Sequence, residues 1–177
     1  MSDIEYSEQF EILLKNEAEI SESMSILHSK SYQKYNRLSQ LTNIPVIILT
    51  SLIGFFSPIP LFDRQDIILG LLSVFCGIIK TLDNYMDFTK RSQSHFMIGL
   101  SYKKISKFIQ IQLSLEKENR IAAADLLNMI INDLQHITNS EPFIPDDIIK
   151  KFNIIYKDSV TKKPPICNGL TDIKIAT

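Results

Sequence analysis

The 177 residues suffice for one domain, and a net charge of −1 gives no support to a nucleic-acid binder, which normally has a strongly basic balance. Two cysteines, Cys76 and Cys167, exclude a disulfide framework or a cysteine zinc site. The 45% hydrophobic fraction is ordinary, but its placement is not: no charged residue occurs between residues 38 and 62, whereas acids crowd the segment before and lysines the segment after residue 80.

The opening MSDIEYSEQFEILLK is acidic and mixed, unlike a cleavable signal peptide, and neither end carries a lipidation pattern. Membrane attachment is therefore expected from internal segments. Tyr6, Phe10, Leu13, Ile20, Met24 and Leu27 recur at three- and four-residue steps, which predicts an amphipathic N-terminal helix within residues 1–40 that can run directly into the first apolar stretch.

A transmembrane hairpin is predicted over residues 41–85. Its first span, 41–62, reads LTNIPVIILTSLIGFFSPIPLF; Val46, Ile47, Ile48, Leu49, Leu52, Ile53, Phe55 and Phe56 outweigh Asn43, Thr50 and Ser51 on an insertion scale. Pro45 is expected in the first turn, where a missing N–H does least harm. Pro58 and Pro60 end this span, and Asp63 or Asp66 is expected to cap the next. The second span, 67–85, begins IILGLLSVFCGII and reaches full length only if Lys80 snorkels to the headgroups. Lys30, Lys34 and Arg37 precede the hairpin, Lys80, Lys90 and Arg91 close it, and Arg64 alone lies in the connection, so both termini are expected in the cytosol. A helical hairpin buried in a soluble protein is the competing interpretation.

Within the hairpin, Gly70, Ser73, Gly77, Lys80 and Asn84 share one helical face, and Asn43, Thr50, Gly54 and Ser57 form a narrower stripe. These small and polar residues can pack the two spans together. Alternatively they line an oligomeric pore, with Lys80 as a basic ring favouring anions.

A cytosolic helical region is predicted over 86–157. Lys90, Arg91, Lys103, Lys104 and Lys107 form a basic helix suited to anionic headgroups or simply to solvent. Ile98, Tyr102, Ile105 and Ile109 make one apolar stripe, and Ala123, Leu127, Ile130, Leu134 and Ile137 another. A turn is expected at 116–120 and a clearer break at 140–145, followed by a short helix carrying Ile148, Ile149, Phe152 and Ile155. Residues 158–177 read as a disordered tail. His28, His95 and His136 lie on separate segments with no ligand pair at helical spacing, and five glycines form no phosphate loop; neither catalysis, a metal nor a cofactor is expected. His95 and Tyr102, two turns apart, are expected to point into a helical interface.

Three segments together resemble the SLATT family of two-transmembrane proteins: HSKSYQKYNRLSQLTNIPVIILTSLIGF from His28, GLLSVFCGIIKTLDNYMDFTKRSQSH from Gly70 followed by Tyr102, and NSEPFIPDDIIKKF from Asn139. That family is associated with nucleotide-activated bacterial conflict systems and is also represented in large DNA viruses and fungi; the Ile-, Asn- and Lys-rich composition suits an AT-rich viral genome. The resemblance implies a membrane protein that oligomerises and perturbs or perforates membranes, although this chain contains no nucleotide sensor. The fold class expected is thus all-α, an integral membrane protein with a transmembrane hairpin and a cytosolic helical bundle. Its expected partners are the lipid bilayer and further copies of itself. The alternative is a structural anchor or scaffold holding a cytosolic or virion protein.

Overall fold

A computed structural model describes residues 5–60 and 62–169. The described residues are all-α: α1 (Glu8–Phe56), α2 (Gln65–Met86), α3 (Phe88–Ser114), a 3-10 turn (Lys117–Asn119), α4 (Ala123–Thr138), α5 (Asp146–Ile155) and α6 (Pro165–Asn168). The chain divides into two compact units, Tyr32–Gln93 and the segments on either side of it. The divisions fall inside α1 and α3; α1 runs past residue 40 without a break, whereas α2 ends at Met86, one residue beyond the expected end of the hairpin.

The Tyr32–Gln93 unit is a helical hairpin extended by the start of α3. Pro45 lies far inside α1 rather than in a first turn. The helix began 37 residues earlier, so the proline ring deprives the exposed Leu41 of the N–H that its carbonyl would accept. The expected aspartate cap on α2 is also corrected: neither Asp63 nor Asp66 caps it, and Arg64 precedes the helix in the left-handed region at φ 64° without a side-chain cap. Instead Gln65 turns its amide back, donating to the carbonyls of Phe56 and Ile59 at 2.7 Å each. That ties the start of α2 to the turn that follows α1, where the Phe56 carbonyl also accepts from the Ile59 N–H at 3.1 Å. A single left-handed residue, Asp87 at φ 51°, separates α2 from α3 and donates its N–H to the Asp83 carbonyl.

The flanking unit holds the hydrophobic core. Leu14, Leu27, Ile98, Tyr102, Ile105, Ile109, Leu126, Ile130, Ile137, Ile144, Ile148 and Phe152 are buried together, which draws α1, α3, α4 and α5 around one cluster. The α3 stripe is as expected. Of the expected N-terminal stripe, Met24 and Leu27 are buried and Tyr6, Phe10 and Ile20 pack against the core, whereas Leu13 is exposed and Leu14 and Ala18 face inward. In α4, Leu126 is fully buried beside the half-buried Leu127, and in α5 Ile155 faces out.

Tyr6 and Arg120 secure the connection between α3 and α4. Tyr6 donates to the Ile121 carbonyl at 2.6 Å, the Arg120 guanidinium stands 5.0 Å over the Tyr6 ring and bonds Glu11, and Lys117 donates to the Tyr6 carbonyl. The expected disordered tail is corrected for residues 158–169. Pro164 is buried, Asn153 donates to the Cys167 carbonyl at 3.1 Å, and Lys162 N–H donates to Glu19 at 2.7 Å. Alternating Pro, Ile and Cys gave no helical period, yet they pack as a short strap. The remainder of that tail lies outside the described residues.

Candidate functional site

Two helices are long and apolar enough to cross a membrane, and only 6% and 11% of their most apolar stretches are buried. Ile47, Ile48, Leu52 and Phe55 on α1 and Ile67, Leu71, Val74, Phe75 and Ile78 on α2 are exposed. A soluble fold would leave such a band facing water at a cost of roughly 25 cal/mol per Å². The hydroxyls in this band turn inward. Thr50 donates to Val46, Ser51 to Ile47, Ser73 to Leu69 and Thr81 to Gly77, each to the carbonyl one turn back. Polar atoms that satisfy themselves within the helix are what a hydrocarbon surrounding demands.

The face of Asn43, Thr50, Gly54, Ser57, Gly70, Ser73, Gly77, Lys80 and Asn84 separates into two parts. Thr50, Gly54, Ser57, Gly70, Ser73, Gly77 and Asn84 are exposed. A Cβ built on Gly54, Gly70 or Gly77 would meet nothing within 4 Å, so these glycines are not the close contact between the spans. Val46 and Cys76 are the buried apolar residues of the hairpin instead. Asn43 and Lys80 do meet: the Lys80 ammonium donates to Asn43 and to Asp83 Oδ2 at 3.1 Å, and Asp83 Oδ1 accepts from Thr42 at 2.8 Å. Asp83, 6% exposed, is the residue that the sequence reasoning missed. It neutralises Lys80 beside it, which removes the basis for an anion-favouring ring.

Of the basic residues, Lys90 lies 4.0 Å from Asp87 and Arg91 stands 6.0 Å over the Tyr35 ring. In the flanking unit Lys103, Lys104 and Lys107 are exposed along α3, with Lys107 donating to Gln110.

A second constellation, inside the flanking unit, joins residues that the sequence keeps far apart. His28 of α1 and His95 of α3 face each other through their Nδ1 atoms at 2.9 Å, and both are buried, at 0% and 1% exposure. His28 Nε2 pairs with Glu141 Oε1 at 2.9 Å, and Tyr102 donates to Glu141 Oε2 at 3.0 Å while its ring stacks on His28. Gly99 makes the approach feasible: an added Cβ would come within 3.2 Å of the His28 Cβ. Burial, then the charges of Glu141 and Glu17, pushes the Tyr102 phenol far above its ordinary range, so it remains a donor. His136 is exposed and takes no part. The two-turn spacing of His95 and Tyr102 hinted at a shared inward face, but nothing local marks His28 or Glu141 as their partners.

Comparison of the chain with family models, curated proteins and solved structures gave no match.

Proposed function

We propose that this chain is a two-span membrane protein with cytosolic termini, whose hairpin assembles with further copies into a membrane-perturbing or channel-like oligomer. The observation that carries the reading is the exposed apolar band on α1 and α2 together with the inward-bonded hydroxyls inside it. The small and polar positions Thr50, Gly54, Ser57, Gly70, Ser73 and Gly77 are open to a neighbouring copy, and small residues suit close helix approach between chains. Since Asp83 balances Lys80, this reading carries no anion preference at the cytosolic end. A chemical role for the buried histidines would require substrate access that their burial denies.

A second reading, an anchor that holds a soluble partner, is favoured by the exposure of Phe143 at 99% together with Ile154 and Ile155. One experiment separates the two. The purified protein is sized in detergent and reconstituted into liposomes loaded with a self-quenched dye. A discrete oligomer that resists carbonate extraction and releases dye supports the first reading; a monomer without flux leaves the anchor ahead.

A further inference from the structure

The His28–His95 contact has a proton stoichiometry that its geometry dictates. Two Nδ1 atoms 2.9 Å apart can form a hydrogen bond only when one proton lies between them. His28 also presents Nε2 to the Glu141 carboxylate, which accepts only, so that nitrogen carries a hydrogen. The bond holds with one proton between the two Nδ1 atoms, and Glu141 balances a single positive charge on the pair. A second proton there puts N–H against N–H between two buried rings, and the contact must part.

We propose that His28, His95, Glu141 and Tyr102 form an acid-operated latch, which holds the segment between α4 and α5 against α1 and α3 until the histidine pair takes up its second proton. The segment, residues 139–145, has no regular structure, and Glu141 ties it to His28 on α1 and Tyr102 on α3 at once. Glu141 also borders an open groove with Met24, Phe143 and Ile144, so release of the latch moves one wall of that groove. The charged and titratable groups around the latch are Glu17 from α1, Tyr102 and Lys104 from α3, Asp133 and His136 from α4, and Asp146 and Lys150 from α5. Exposed Lys104, Asp133, His136, Asp146 and Lys150 are screened by solvent. Glu17, whose carboxyl is pushed up by burial, is the group whose titration could imitate the latch. The inference is independent of the membrane reading, because every residue in it belongs to the flanking unit.

The test is amide exchange of the full chain in detergent, corrected for intrinsic rates, from about pH 7.5 to about pH 4. Exchange at Asn139 and Ser140, whose N–H groups bond the Gln135 and Ile137 carbonyls, should rise about tenfold on acidification, while Leu126 and Ile130 in the core remain protected. His95→Asn retains an amide donor without a titrating ring and should flatten the response; Glu17→Gln should leave it unchanged. A flat wild-type profile, an acid response that persists in His95→Asn or vanishes in Glu17→Gln, or loss of protection spread equally through the core would overturn the latch. Should His95→Asn not fold, 15N imidazole spectra of the wild type decide the matter: coupling across the shared proton at neutral pH should vanish in acid, and its persistence at about pH 4 would refute the proposal.

Discussion

Thr42 in α1 donates its hydroxyl to the Asp83 carboxylate in α2 at 2.8 Å, and Lys80 reaches the other oxygen of the same carboxylate. The two long helices of the hairpin are therefore joined by a buried charge with a half-exposed counter-ion. Asp83→Asn leaves Thr42 its alternative carbonyls at Leu38 and Ser39 and leaves Lys80 its bond to Asn43. It should cost about 1–2 kcal/mol. Lys80→Gln leaves the buried carboxylate without its cation and should cost more, up to about 3 kcal/mol. Thermal unfolding in detergent of both variants and the double variant measures the coupling; strictly additive losses would show that the pair is not energetically joined.

Gln65→Ala should destabilise the hairpin by about 1 kcal/mol, because it takes the amide from the Ile59 carbonyl and leaves the Phe56 carbonyl to the Ile59 N–H. Gln65→Glu should be worse, since a carboxylate offers those carbonyls only like-charged oxygens. The ranking can be read from the denaturant midpoints of the purified full-length variants, and an innocuous Glu substitution would contradict this role.

Helix content and the apolar band were legible because each rests on a local period or a run of uncharged residues. Ile98, Tyr102, Ile105 and Ile109 sit at helical steps and are all buried. In α1 the choice between the adjacent Leu13 and Leu14 was not legible, since only the partner helices decide which of them faces inward. Asp83 escaped notice because an acid near a span end reads as solvated until a donor on the other helix is placed beside it. His28, His95 and Glu141 are separated by 67 and 113 residues in their contacts, and no local pattern encodes such a meeting. The close approach that admits it depends on Gly99, which in sequence is merely an isolated helical glycine.

Two titrations bear on the flanking unit at opposite ends of the pH scale. The hydrogen bond from Arg120 holds the Glu11 carboxyl below its ordinary value of 4.5. A depressed folded value contributes stability that is complete above about pH 4.5 and is lost as pH falls through the folded value. Glu11→Gln should remove this acid dependence from the anchoring of the Tyr6 segment, read as proteolytic nicking near the N-terminus. Tyr102 shows the reverse sign: its raised value contributes stability that is present below its ordinary 10.0 and lost as pH rises toward the folded value. Tyr102→Phe should abolish that alkaline loss in thermal unfolding; an unaltered alkaline limb would place its origin elsewhere.

Gly99 and Gly77 make opposite predictions for the same substitution. At Gly99 an added Cβ meets the His28 Cβ at 3.2 Å and the Ser25 carbonyl oxygen at 3.5 Å, and the larger Leu side chain must displace α1 from α3. Gly99→Leu should therefore cost about 3 kcal/mol or more and lower the melting temperature of the solubilised protein, whatever its oligomeric state. At Gly77 nothing lies within 4 Å, so Gly77→Leu meets no resistance inside one chain. Its replacement of a helical glycine should even add a few tenths of a kcal/mol to the isolated chain. If the open face of α2 is where copies associate, Gly77→Leu blocks close approach between them and shifts the detergent-solubilised oligomer to smaller species without lowering the melting temperature of the monomer. Multi-angle light scattering combined with thermal unfolding distinguishes the two effects. An unchanged oligomer for Gly77→Leu would remove this face from the interface, and a lowered monomer melting temperature would mean that the residue packs within its own chain.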